Sequence, residues 1–355
     1  MPSAATTGWI RGARPRPRAW LTRATFGLAM AVLLPFGVSV AGSGGTAQAA
    51  LNPAGFDFYV DSAMGPIKSR VFRAVDGNTN RVVYLLDGMR AREDLNGWEI
   101  ETNVAQALMD ANINVVMPVG GASSFYADWN QPSTFLGMKA GTAPGDVTGS
   151  GATQAFSGGP GKSYTYKWET FITTDLRNAL RDRLNFNPNR NGVIGVSMSG
   201  SAALMLAAFH PDQFSYASSN SGVPDMSTPG MKPAIRAAML ECGGYNVDAM
   251  ASTEAKWQHL DPHVFATRLK ANNTRLWISA ASAIPGGGDI AAVATEEGMG
   301  IEAVALASTR MFQARAAVLG IGNAVFDFAP IGIHNWHTWE PELMKQLPDL
   351  SSHIG

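Results

Sequence analysis

The chain has 355 residues, 46% of them hydrophobic, with 27 Lys and Arg against 28 Asp and Glu. That is ample apolar material for a core, and the near-neutral balance excludes the basic surface that nucleic-acid binding needs. The single cysteine, Cys242, excludes an internal disulfide, so packing must supply the stability; its thiol reads as a small buried apolar side chain.

Five arginines from Arg11 to Arg23, an apolar run from Phe26 to Val40 and small residues ending in Ala47-Gln48-Ala49 have the layout of a secretory signal peptide. Pro35 and Gly37 interrupt the run, which is short for a membrane span. With residues 1–49 removed, 50–355 form one large α/β domain carrying 22 basic and 28 acidic side chains, a net charge of −6.

Phe56 to Val60 and Ile67 to Ala74 predict two strands joined by the turn Met64-Gly65-Pro66. Arg81 to Leu86 is nearly unbroken in its apolar character and predicts a strand covered on both faces, ending in Asp87-Gly88-Met89-Arg90. Trp98 to Ala111 has helical spacing, and Asn114 to Val119 is another buried strand. Residues 130–165 are rich in Gly, Ser, Thr and Pro, have no period and predict a long, flexible surface loop. Lys167 to Leu184 predicts an amphipathic helix, and Phe214 to Ser218 a strand. Between Val223 and Lys270, Pro224, Pro229, Pro233 and Pro262 break an irregular helical stretch that reads as a cap. Thr274 to Ala280 and Ala324 to Phe328 predict the last strands, Ile301 to Leu319 a helix between them, and Glu340 to Leu347 a short closing helix. Strands alternating with helices predict a mostly parallel central sheet with helices on both faces and a helical cap insertion.

The chemistry gathers at Gly195-Val-Ser-Met-Ser-Gly200. Apolar Val193, Ile194 and Val196 run into Ser197, and good helix formers follow from Ser201 to Phe209. A serine on a strand-to-helix turn between small residues is the nucleophile elbow of the α/β-hydrolase fold. Ser199 is a departure, since that position usually holds glycine. A serine nucleophile needs a base oriented by an acid, and in this fold the chain order is Ser, acid, His. His334 and His337 fit the loop after the last strand, and His334 follows it more directly. His210 reads as a helix cap, and His259 and His263 as solvated cap residues. The acid lies after Thr274 to Ala280. Spacing leaves Asp289, Glu296, Glu297, Glu302 and, less well placed, Asp327. Backbone amides of Met198 and Met89 are the candidate oxyanion donors. No metal or cofactor is called for.

Several stretches resemble the secreted mycolyltransferases of the antigen 85 group, in order along nearly the whole mature chain. They are Tyr84 to Ala91, Asn96-Gly-Trp98, Val116 to Tyr126, Tyr166 to Phe171, the elbow, Ala271 to Trp277, Gly322 to Phe326 and His334-Asn-Trp336. The resemblance implies a triad of Ser197, Glu302 and His334, with Asp289 in reserve, and oxyanion amides from Met89 and Met198. It also implies trehalose contacts at Asp87 and Arg90, with Trp336 in the sugar-binding neighbourhood. The implied reaction transfers a mycoloyl group between trehalose monomycolates or to wall arabinogalactan, with a diacylglycerol acyltransferase-like activity also open to the same intermediate. Trehalose mycolates and cell-wall glycolipids are then the partners, with no protein partner implied and the envelope as location. Plain ester hydrolysis is the alternative. The 130–165 loop and Ser279-Ala280 depart from relatives that carry cysteines in those regions.

Overall fold

The computed structural model describes residues 51–134, 163–242, 245–287, 289 and 295–355. The signal-peptide reading of residues 1–49 and most of the 130–165 loop lie outside the described residues. The strands are β1 (Phe56–Ser62), β2 (Gly65–Phe72), β3 (Val82–Leu86), β4 (Asn114–Pro118), β5 (Ser133–Thr134), β6 (Ser163–Tyr164), β7 (Asn191–Val196), β8 (Phe214–Asn220), β9 (Arg275–Ala281) and β10 (Ala324–Ala329). The helices are α1 (Gly97–Glu101), α2 (Val104–Asp110), α3 (Trp168–Thr170), α4 (Arg177–Leu184), α5 (Met198–Phe209), α6 (Met231–Glu241), α7 (Val247–Met250), α8 (Glu254–Leu260), α9 (Pro262–Asn272), α10 (Thr295–Leu319) and α11 (Trp336–His353). A π-helical segment, Phe171–Leu176, joins α3 to α4.

Eight strands form one sheet in the order β1-β2-β4-β3-β7-β8-β9-β10. The β1–β2 and β2–β4 pairings are antiparallel, and every pairing from β4 to β10 is parallel. Alternation along β3 divides the core between the two faces: Val82, Tyr84 and Leu86 pack with α5, whereas Val83 and Leu85 pack with Trp98, Leu108, Leu343 and Leu350 of α1, α2 and α11. The strands read as continuous apolar runs because both faces are covered. This is the α/β-hydrolase architecture, and the carboxyl ends of β3, β7, β8, β9 and β10 lie along one edge, where such sheets carry their sites.

Four departures from the sequence expectation have local causes. The single helix over Trp98 to Ala111 is two helices, because Thr102 is extended and Glu340 of α11 accepts from the Asn103 amide at 2.8 Å. The closing helix starts at Trp336, since Asn335 caps it by accepting from the Thr338 amide at 3.1 Å. The helix placed from Ile301 begins at Thr295. Within the stretch expected as a cap, α9 is instead packed against α5 and α10.

His259 is a further correction, and His210, which does cap α5, has a second role. Neither ring is merely solvated or a plain cap: His210 Nε2 lies 3.0 Å from one oxygen of Glu169 and His259 Nε2 2.9 Å from the other. One carboxylate thereby ties α3, the end of α5 and the inserted α8 together. Burial pushes this carboxyl up, but hydrogen bonds from His210 and His259 and the nearby charge of Lys256 overcome that and hold it at about 2. A depressed carboxyl contributes stability above its unfolded pKa, near 4.3, that is lost as pH falls toward the folded value. Glu169→Gln should therefore lower unfolding free energy at pH 7 by on the order of 3 kcal/mol, with the gap to wild type closing between about pH 4.5 and pH 2. Denaturant melts across that range check this; a gap independent of pH contradicts it.

Candidate active site

The elbow is built by one strained residue and the groups that hold it. β7 is buried along its whole length and ends at Val196. Ser197 follows with φ 55° and ψ −124°, a conformation that costs a non-glycine residue about 1–3 kcal/mol. Its amide donates to the Asn220 carbonyl at 3.0 Å, which fixes the turn against the end of β8. Gly195 is required by close approach, since a Cβ there would lie 2.0 Å from the Ser199 carbonyl oxygen. Ser199, the departure from the usual glycine, has a role of its own. Its hydroxyl lies 3.0 Å from the Leu86 carbonyl and 2.9 Å from that of Val196, and accepts from the Val196 amide at 2.9 Å. It pins the elbow to the end of β3. The helix that follows, α5, is buried from Met198 to Ala208 and presents its first amides toward the same edge.

The structure brings His334 and Glu302 together. His334 Nδ1 lies 2.9 Å from Glu302 Oε2, and the Glu302 side chain is wholly buried. The other carboxylate oxygen accepts from the Ala281 amide at 2.6 Å and from the Ser221 hydroxyl at 2.9 Å. Ser221 in turn accepts from Trp339 Nε1 at 3.0 Å, and the Trp339 ring meets the His334 ring edge to face at 5.0 Å. His334 Nε2 is buried with no hydrogen-bond partner among the described residues. With Nδ1 committed to a carboxylate, Nε2 is the nitrogen available to take a proton from a nucleophile.

The other candidate acids are engaged elsewhere. Asp289 accepts from Asn335 Nδ2 at 2.6 Å and from the Gly286 amide at 2.8 Å, and lies 3.7 Å from the exposed His337. Glu296 is exposed, Glu297 pairs with Arg90, and Asp327 pairs with Lys345. His263 lies 3.5 Å from Asp225, and Cys242 is half-buried rather than buried.

The turn after β3 lies beside the elbow: a Cβ built on Gly88 would come 3.9 Å from Ser197 Cβ. Asp87 accepts from the amides of Gly88 and Gly97, each at 2.7 Å. Burial pushes its carboxyl up to about 6, against the pull of these two amides. Trp336 covers the same corner, touching Trp98 and Trp339 edge to face at 5.3 and 5.0 Å. It packs so closely that a Cβ on Gly97 would lie 2.3 Å from Trp336 Cζ2 and 2.8 Å from Asp87 Oδ1. Arg90, by contrast, is exposed and reaches Glu297 of α10 at 2.9 Å, a surface pair of small energetic weight.

The family model described as "Putative esterase" matches residues 67–350. Mycolicibacterium smegmatis diacylglycerol acyltransferase/mycolyltransferase Ag85B is 37% identical over 95% of this chain and 97% of that protein. The chain belongs to the Ag85 family. Ag85C of Mycobacterium leprae is 39% identical over 77% of this chain and 75% of its own length. The crystal structure of Mycobacterium tuberculosis MPT51 (FbpC1) superposes with a TM-score of 0.68 at 29% identity, covering 85% of this chain and 99% of that one. The Ag85 relationship accounts for the fold.

Two residues of the site had no sequence signal on their own, Ser221 and Trp339. Ser221 has φ 50°, so the turn Asn220-Ser221-Gly222 after β8 was the available hint. The carboxylate that holds His334 separates the acids by experiment. Glu302→Gln should lower acyl transfer by roughly two to four orders of magnitude, because a neutral amide supports an imidazolium poorly, while Asp289→Asn stays within about tenfold. Steady-state rates of both folded variants check this, and the reverse pattern contradicts it.

Proposed function

We propose that this Ag85-family chain is a serine-dependent acyltransferase that moves a mycoloyl group from trehalose monomycolate to a second trehalose monomycolate or to cell-wall arabinogalactan. The observation that carries the reading is the Glu302–His334 pair, in a chain that also holds Ser197 on a strand-to-helix elbow and whose relatives are named mycolyltransferases. Ser197 Oγ attacks the ester carbonyl as His334 Nε2 takes its proton, and the buried Glu302 carboxylate stabilises the imidazolium. Amides of Met89 and Met198 receive the charge that develops on the carbonyl oxygen. Collapse expels trehalose, which leaves with the proton from His334, and the mycoloyl ester remains on Ser197. A sugar hydroxyl of the acceptor then gives its proton to His334 and attacks that ester, and on collapse His334 returns the proton to Ser197 Oγ as the acylated product leaves.

Transfer rather than hydrolysis requires that an acceptor sugar occupy the site and displace water. Asp87 and Trp336 form a corner next to Ser197, and Arg90 stands at its exposed rim. The N-terminal segment, 1–49, directs export, which puts the enzyme where wall glycolipids are. No helix among the described residues is long and apolar enough to cross a membrane.

Supplying trehalose monomycolate to the pure protein and identifying the lipids by mass spectrometry tests the reading. Trehalose dimycolate is the expected product, and free mycolic acid alone, with or without added trehalose, would establish a plain esterase instead. In the same assay Arg90→Ala should weaken transfer to trehalose about tenfold more than hydrolysis of a small activated ester, which needs no sugar contact. Equal losses, or none, rule out an acceptor role for Arg90.

A further inference from the structure

The stretch after β4 is the most strained in the described chain. Ser123, Phe125 and Tyr126 have φ of 53°, 52° and 45°, so three of four consecutive residues are left-handed without being glycine. All three are buried, at 0%, 3% and 0% exposure, so solvent does nothing to offset the cost. Each such residue costs about 1–3 kcal/mol and persists only where surrounding contacts enforce it. Those contacts are present. Tyr126 packs edge to face on Trp168 at 5.3 Å, Trp129 Nε1 donates to the Ser124 carbonyl at 3.0 Å, and Tyr166 donates to the Ala122 carbonyl at 3.1 Å.

What the loop holds in this conformation is specific. The Ser123 amide donates to the Met89 carbonyl at 3.0 Å. The Tyr126 hydroxyl accepts from the Asp87 amide at 3.1 Å and donates to the Gly120 carbonyl at 3.2 Å. The Met89 amide therefore lies between two fixed points, one upstream at Asp87 and one downstream at its own carbonyl. With the Gly88 amide given to the Asp87 side chain, Met89 is the next donor of that turn. The Phe125 amide donates to Met198 Sδ at 3.2 Å, which fixes the residue directly after the nucleophile. Sulfur is a weak acceptor, so this bond adds little to stability but does set position.

We propose that the left-handed loop Gly120–Tyr126 is the positioning element of the oxyanion hole, holding the Met89 turn and Met198 in fixed relation through Ser123, Phe125 and the Tyr126 hydroxyl. The inference rests on the assignment of the Met89 and Met198 amides as oxyanion donors. Those donors come from two separate strand ends, β3 and β7, and charge stabilisation demands that both sit within hydrogen-bond range of one oxygen before the reaction begins. A single rigid body touching both residues meets that demand. Tyr126 and Met198 Sδ act through the backbone amides they locate, and neither needs to touch substrate.

A trifluoromethyl ketone ester analogue, labelled with carbon-13 at its carbonyl, tests the two layers separately. Ser197 Oγ adds to the ketone carbon to give a hemiketal, whose oxygen titrates in the NMR spectrum at a pKa set by the oxyanion donors. In the wild-type enzyme that pKa should lie well below the value of the free hydrate. Tyr126→Phe keeps the ring on Trp168 and removes the hydroxyl, and Met198→Leu keeps the volume and removes the sulfur. Each should raise the hemiketal pKa by about one unit and lower kcat on a small activated ester about tenfold, with KM changed less than about twofold. If the wild-type hemiketal titrates as the free compound does, the oxyanion assignment fails and the inference with it. If it is depressed in the wild type and stays equally depressed in both variants, the loop has no positioning role although the assignment stands. Should Tyr126→Phe fail to fold, Met198→Leu, which leaves the loop's own bonds intact, decides the question alone.

Discussion

The carbonyl of Leu86 is where two strand ends become one site. It receives the Ser199 hydroxyl from the elbow at 3.0 Å and the Trp98 indole N–H from α1 at 3.0 Å. That junction is one of the contacts that set the distance between the turn after β3 and Ser197 after β7, beside the β3–β7 pairing itself. A parallel sheet aligns strand ends only to within the tolerance of its twist. Chemistry at one carbonyl carbon needs far better, and side-chain bonds across the ends supply it. Ser199 serves this purpose in place of the glycine more usual at that position. Its hydroxyl also satisfies the buried Val196 amide, which would otherwise cost about 1–3 kcal/mol.

The proposed acid and base are fixed by the same principle. Glu302 spends one oxygen on His334 and the other on Ala281 and Ser221, so its orientation is set by β9 and by the turn after β8. Trp339, on α11, holds Ser221 by its N–H and His334 by its ring. Five left-handed non-glycine residues, Ser123, Phe125, Tyr126, Ser197 and Ser221, adjoin this constellation. Strain of that kind is tolerated because the core on both faces of the sheet leaves the backbone no alternative, and it orients donors before substrate arrives.

The parts of the site carried by one continuous stretch were legible in the sequence. The elbow announces itself through Val193 to Gly200, and His334 through its position just past β10. The acid was not legible from spacing, because Glu297, Glu302 and Asp289 stand on neighbouring segments and only the bonds to Ala281 and Ser221 separate them. The family resemblance pointed to Glu302, which is the carboxylate that lies 2.9 Å from His334 Nδ1. The sequence alone gives His259 no partner, because Glu169 is far away in the chain and reaches it only through folding. The break between α1 and α2 was hidden for the same reason: apolar periodicity runs through Thr102, and the Glu340 carboxylate that stops the helix comes from α11. Local pattern reports local structure, and these contacts are not local.

If Ser197 carries the acyl group between donor and acceptor, turnover passes through a covalent ester on its Oγ. Intact-mass analysis of the enzyme quenched during turnover of trehalose monomycolate, followed by peptide mapping, tests it most directly. A single mycoloyl ester is expected on the peptide that holds Ser197. Ser197→Ala should show no adduct and lose roughly three or more orders of magnitude in turnover. An adduct on another residue, or transfer at a near wild-type rate by that variant, would contradict it.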